Sequence, residues 1–246
     1  MVGAPLVWAD SLFDLSERLL KVFTGDSAFS DSITEAAAEL ASRVFELIEI
    51  KQHQAGDDLT SMMLARLDGE SFTISDVATL LFEMLAASTD NTAHSIGITT
   101  HLLASHADQY DLLRTTPGLA QAAFDEAGRV EPRVRSNPRY AIAPTNVLGV
   151  DIPIDTFATL SIVEANRDPS VFPHPDRFDI TCEPAQPHLG FGVGRHHCLG
   201  AALARMEATA VLDAMAKRWR SVEVHGEPVI QRSNDTAIAY LPIAVT

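Results

Sequence analysis

The sequence predicts a mainly α fold with small β-sheets, formed as a single domain over residues 1–246. Three observations carry this. Residues 1–131 repeat apolar side chains at helical spacing. Residues 132–246 mix β-forming runs, turns and a tract rich in Pro and Asp without any period. One further helical pattern interrupts that second part, just after a glycine-rich turn.

Taken in order, Ser11 to Phe23 brings Leu12, Leu15, Leu19 and Val22 to one helix face. Ser32 to Gln54 is a second amphipathic run, stopped by Gly56, and a short helix is expected over Asp58 to Leu67. Ser75-Asp76 is read as the cap of a long apolar helix lasting to about Ser105. Its tract Val77 to Ala87 is apolar almost all round, the mark of a helix buried through the middle of a domain. Helices are expected over Asp108 to Arg114 and Gly118 to Val130. From Pro132 to Ala165 β-formers alternate with turns, Asn166 to Pro187 is expected as an irregular meander, and a last helix covers Leu199 to about Arg218. Ser221 to Thr246 is read as two or three strands.

Composition bounds the function. A formal charge of −15 argues against nucleic acid as a partner. Apolar and charged fractions of 46% and 21% are those of a soluble globular chain. Two well-separated cysteines suit a reducing cytoplasm rather than a disulfide scaffold. No apolar run has the length of a membrane span, and the start lacks the pattern of a signal peptide.

The chemistry concentrates in Phe191-Gly192-Val193-Gly194-Arg195-His196-His197-Cys198-Leu199-Gly200, which runs into Ala201-Ala202-Leu203-Ala204-Arg205. Amide N–H groups at a helix start are unpaired and carry partial positive charge. A cysteine there suits the thiolate, the form of sulfur that ligates a metal. Gly192 and Gly194 allow backbone angles closed to other residues, and Gly200 lets the chain approach a flat object. A dinucleotide loop would need glycine three positions after Gly194, where His197 stands. A zinc site needs four spaced ligands, and Cys182 has no partner at finger spacing.

The pattern F-x-x-G-x-x-x-C-x-G, with Leu-Ala-Arg after it, resembles the haem-binding signature of the cytochromes P450. That resemblance implies haem b (iron protoporphyrin IX) with Cys198 as its axial ligand, and places Phe191, Gly192, Gly200 and Ala87 against it. Arg139, ten positions after Arg129, and His196 become the propionate partners. Glu126-Ala127-Gly128-Arg129 is similar to the family's E-x-x-R, with Arg177 of Pro175-Asp176-Arg177-Phe178 as the third, cationic member of a buried structural network.

In the long helix the family carries A-G-x-[D/E]-T, whereas this chain reads Ala87-Ser88-Thr89-Asp90-Asn91-Thr92. His106-Ala107-Asp108-Gln109 resembles the family's H-P-D-Q and fixes the register. Asp90 then takes the acid position, Asn91 that of the threonine, and Thr92 that of the threonine which often follows. A hydroxyl donates and accepts at one atom, while an amide splits those roles and relays protons poorly.

The resemblance implies a bacterial-type monooxygenase acting on a small apolar organic substrate, with electrons from a ferredoxin or flavoprotein docking near Arg195, Lys217, Arg218 and Arg220. It covers the later part of the family fold, since Met1-Val2-Gly3-Ala4-Pro5 resembles a segment between two of the family's helices. A partner chain, self-association, or a truncated, auxiliary and non-catalytic role are the corresponding alternatives.

Overall fold

The computed structural model describes residues 1–24, 26–182 and 186–246. Residues 183–185 of the expected meander therefore lie outside the described residues. The chain divides into two compact units, Met1–Asn91 and Thr92–Thr246. The boundary falls inside one helix.

In the first unit, α1 (Ala9–Leu20) and α2 (Ser30–His53) pack on each other and on the start of the long helix α4 (Ile74–Ser105). Leu15, Leu40, Val44, Val77 and Leu81 are fully enclosed there. Each such side chain contributes roughly 1.5–3 kcal/mol of hydrophobic stabilisation. The tract Val77 to Ala87 departs from the expected all-round burial. Val77, Leu81 and Leu85 are buried while Thr79, Glu83 and Ala87 are exposed, because α1 and α2 cover one stripe only.

The short helix α3 (Leu59–Leu64) is shorter than expected and begins at Asp58, whose carboxylate accepts the Ser61 amide at 2.9 Å. The cap of α4 is Thr73, not Ser75. Thr73 Oγ1 accepts the Asp76 amide at 3.3 Å, and Asp76 Oδ2 accepts the Thr73 amide at 2.7 Å, a reciprocal capping box.

The second unit builds its core from α5 (Ala107–Thr115), α6 (Ala120–Val130) and α8 (Ala201–Arg218) around the end of α4. Tyr110, buried on α5, donates to the carbonyls of Met215 and Trp219 at 3.2 and 3.1 Å. Burial pushes its hydroxyl pKa up, so it stays a donor. A four-residue helix α7 (Ile162–Ala165), capped by Ser161, stands where strand and turn were expected.

The sheets are small. Strands β1 (Ser136–Tyr140) and β4 (Phe157–Ser161) pair antiparallel, with Arg139 opposite Ala158. Between them β2 (Thr145–Val147) and β3 (Val150–Ile152) form a hairpin whose turn residues, Leu148 and Gly149, both have positive φ. The C-terminal tract holds four strands rather than two or three. β5 (Val222–Val224) pairs with β8 (Ile243–Val245), and β6 (Val229–Arg232) with β7 (Thr236–Tyr240), one hairpin nested in the other. The amide of Ile238 in β7 donates to His94 Nδ1 of α4 at 3.1 Å.

Candidate functional site

The turn before Cys198 is held by its own backbone. Gly192 and Gly194 adopt φ of +71° and +72°, angles that favour glycine. The Gly192 amide donates to the Leu189 carbonyl at 2.9 Å, and the Cys198 amide donates to the Phe191 carbonyl at 2.8 Å. Phe191 is half-buried against Phe124, with ring centroids 6.3 Å apart. Cys198 is a free, exposed thiol two residues before Gly200, the N-cap of α8. Gly200 has an ordinary φ of −85°, so its value lies in space. A Cβ there would lie 3.9 Å from the Cys198 sulfur, in ordinary van der Waals contact with it.

Beside this loop lies a concavity of about 380 Å³. Arg139, His196 and Gly192 share its wall with apolar Leu160, Ile162 and Leu189. Arg139 is exposed and donates to the carbonyl of Pro138 at 2.8 Å. Cys182, by contrast, is half-buried; burial, reinforced by the charge of Glu126, pushes its thiol up and keeps it neutral.

Glu126 and Arg129, on one face of α6, form a doubly bonded pair, Nε to Oε2 and Nη2 to Oε1 both at 2.8 Å. Their side chains are 7% and 3% exposed. Arg129 also donates to the carbonyls of Asn166, Pro175 and Arg177 at 3.1, 2.6 and 2.8 Å. Glu126 accepts the Asp179 amide at 3.1 Å. Arg177 thus differs from expectation, since only its carbonyl joins the network. Its guanidinium is 62% exposed and pairs with Asp179 at 3.4 Å. Arg129 already engages both oxygens of Glu126, and a second buried cation would add desolvation without a free acceptor.

Ala87, Asp90 and Asn91 belong to the first unit, and Thr92 opens the second. Asp90 is 3% exposed, so it does not merely face solvent. Two successive carbonyls of α4 accept side-chain donors here. Ser16 Oγ donates to Ala86 at 2.6 Å, and Asn91 Nδ2 donates to Ala87 at 3.0 Å. The Asn91 bond, to the carbonyl four residues earlier, is a back-bond of the kind that competes with a helix's own ladder, whereas the Ser16 bond comes from α1.

Among the described residues no group of three or more His, Cys, Asp or Glu side chains could hold a bare metal ion. A single sulfur can hold iron only when the other ligands arrive with it. An open thiol at the end of a turn that, with a guanidinium and an imidazole, lines a partly apolar concavity therefore fits a macrocycle-bound iron carrying carboxylates. The family model for cytochrome P450 matches residues 9–243.

The chain belongs to the cytochrome P450 family.

It is 35% identical over 191 residues to cytochrome P450 105C1 of a Streptomyces species, covering 77% of this chain and 49% of that protein. It is 32% identical over 192 residues to 6-deoxyerythronolide B hydroxylase of Saccharopolyspora erythraea, covering 77% and 47%. The chain thus spans about half the length of these P450 relatives. The structure of P450BioI in complex with hexadec-9Z-enoic acid ligated acyl carrier protein superposes with a TM-score of 0.92 at 29% identity. It covers 100% of this chain and 64% of that one. The mainly α fold with small sheets is the P450 fold over the matched portion. Among the described residues no helix is long and apolar enough to cross a membrane.

Sequence reasoning missed the residues that hold the root of the P450 cysteine loop. His188 bonds both the Gly190 amide and Asp125, Arg205 lies over Phe191, and Asn166 Oδ1 accepts the Leu189 amide at 2.7 Å. The available signals were a histidine three before Phe191 and an acid directly before Glu126.

Proposed function

We propose that this chain is the cysteine-bearing portion of a haem-thiolate monooxygenase that oxidises a small apolar organic substrate. The observation that carries the reading is the free, exposed Cys198 sulfur at the exit of a glycine-fixed turn, whose residues Gly192, Val193 and His196 line a concavity together with Arg139. A haem b bound there would supply dioxygen activation at a sulfur-ligated iron.

The chain's own residues have separable tasks in this reading. Cys198 holds the iron, Arg139 and His196 bind propionates, and Phe191, Gly192, Gly200 and Ala87 line the haem faces. Glu126 and Arg129 with the Arg177 carbonyl keep the meander in place and take no part in the chemistry. Asp90, 3% exposed on α4, feeds protons to the site in this reading, a placement that suits a general acid. Asn91 and Thr92 position water or substrate beside it. Residues 1–246 act as one P450-like domain, α4 running through both units. The exposed cations Arg195, Lys217, Arg218 and Arg220 support docking of an acidic electron donor, a ferredoxin or flavoprotein.

A second reading, an auxiliary non-catalytic P450-like protein, is favoured by one observation, Asn91 where a hydroxyl relay is expected. The test is incorporation of oxygen-18 from labelled dioxygen into a panel of small apolar compounds, with a surrogate ferredoxin system. Label in product that depends on nicotinamide supports the monooxygenase. Haem binding with no label in any product supports the auxiliary reading.

A further inference from the structure

His188 lies in a slot between two glycines, and 7% of its side chain is exposed. A Cβ on Gly128 of α6 would come within 3.1 Å of the ring, and one on Gly190 within 2.8 Å. Both glycines therefore keep space for the imidazole. The Gly190 amide donates to Nδ1 at 3.0 Å. Since an amide N–H can only donate, Nδ1 is the acceptor and the ring proton sits on Nε2, which faces Asp125 Oδ1 at 3.4 Å. Asp125 also accepts from Arg205 Nε at 2.7 and 3.1 Å. The Arg205 guanidinium lies 4.5 Å over the Phe191 ring. The cluster thus clasps residues 188–191 from α6 on one side and α8 on the other.

The bonds then lead to the cysteine. His188 caps the tight turn Leu189–Phe191, which the Gly192 amide closes on the Leu189 carbonyl. The carbonyl of Phe191, at the end of that turn, accepts the Cys198 amide at 2.8 Å. We propose that His188 is a positioning residue for Cys198. Wedged between Gly128 and Gly190 while it accepts the Gly190 amide, it sets the direction of the Phe191 carbonyl and so the seat of the Cys198 peptide. Its relevance to iron rests on the reading that Cys198 is the haem ligand; its effect on the loop does not.

Two substitutions in the full chain separate positioning from space-filling. His188→Phe keeps a flat ring but cannot accept a bond. His188→Asn leaves part of the slot empty but can accept the amide two residues on through its side-chain oxygen. Amide hydrogen exchange at Gly190 and Cys198 is the first readout. His188→Phe is expected to speed both about tenfold, the scale of one lost hydrogen bond, while His188→Asn stays near the wild type. Amides of buried α8 residues such as Leu212 should not change. Unchanged exchange at Cys198 in His188→Phe, or equal acceleration at Leu212, would overturn the proposal.

The second readout is the ferrous–carbon monoxide spectrum after haem addition, where His188→Phe should lose the thiolate-type band and His188→Asn should keep it. A wild-type chain lacking that band overturns the ligand reading alone. The exchange result still decides whether His188 seats the loop.

Discussion

Replacing Glu126 by alanine removes the acceptor of three bonds at once, two from Arg129 at 2.8 Å and one from the Asp179 amide at 3.1 Å. Arg129 would then keep its charge at 3% exposure, facing the carbonyls of Asn166, Pro175 and Arg177. Carbonyls satisfy the guanidinium N–H groups but do not neutralise the charge. Breaking a buried pair in this way costs roughly 3–5 kcal/mol. For a chain of this size that lowers Tm by about 6–20 °C. Glu126→Gln keeps an acceptor and the shape, so its loss should fall between alanine and wild type. Arg177→Ala is the internal control. Its guanidinium is 62% exposed and its network contact is main-chain, so the change should cost less than about 1 kcal/mol. Thermal melts followed by circular dichroism, with haem content measured alongside, test the series. If Glu126→Ala melts within about 2 °C of wild type, or Arg177→Ala costs as much as Glu126→Ala, the assignment of the network is wrong.

Further outcomes follow from the same structure. Burial raises the Asp125 carboxyl, but hydrogen bonds from His188 and Arg205 outweigh it and hold the group below the usual carboxylate range. A depressed carboxylate contributes stability that is present above its unfolded pKa, about 4, and is lost as pH falls through the folded value. Asp125→Asn should therefore destabilise the chain at neutral pH and flatten its loss of stability below about pH 4 in urea titrations, and parallel acid limbs would contradict this. Asn91→Thr should raise the ratio of product formed to nicotinamide consumed in a surrogate redox system, and a fall would mean that the amide serves this protein's own chemistry. Ile142 and Leu148 are 91% and 101% exposed, and Tyr140 and Phe157, exposed on β1 and β4, lie with ring centroids 5.1 Å apart. Removing exposed apolar surface from water favours association by about 25 cal/mol per Å². Light scattering should thus show concentration-dependent self-association of the purified chain, whereas a monomer at every concentration would refute it.

Much of this molecule was legible in its residues, for physical reasons that also mark the limits. The helix α4 was legible because a long apolar run with polar ends has few alternatives. Its cap was misplaced by two residues, since Thr73, Ser75 and Asp76 are all competent capping residues and only geometry selects the Thr73–Asp76 box. The Glu126–Arg129 pair was legible because i,i+3 residues share a helix face. The part played by Arg177 was not, because a residue can enter a network through its carbonyl, which its side chain does not report. Four C-terminal strands were read as two or three because strands of three to five residues carry too little periodicity to separate from turns. His188 escaped notice because its partners on α6, Gly128 and Asp125, reach it only in the fold.

The central claim is that Cys198 is the ligand of a haem iron. The ferrous–carbon monoxide difference spectrum of the haem-loaded chain tests it most directly, with Cys198→Ser and Cys182→Ser compared side by side. The wild type and Cys182→Ser should both show the thiolate-type band, because the half-buried Cys182 is held as a neutral thiol. Cys198→Ser should lose that band entirely. A Cys198→Ser chain that keeps it would contradict the account.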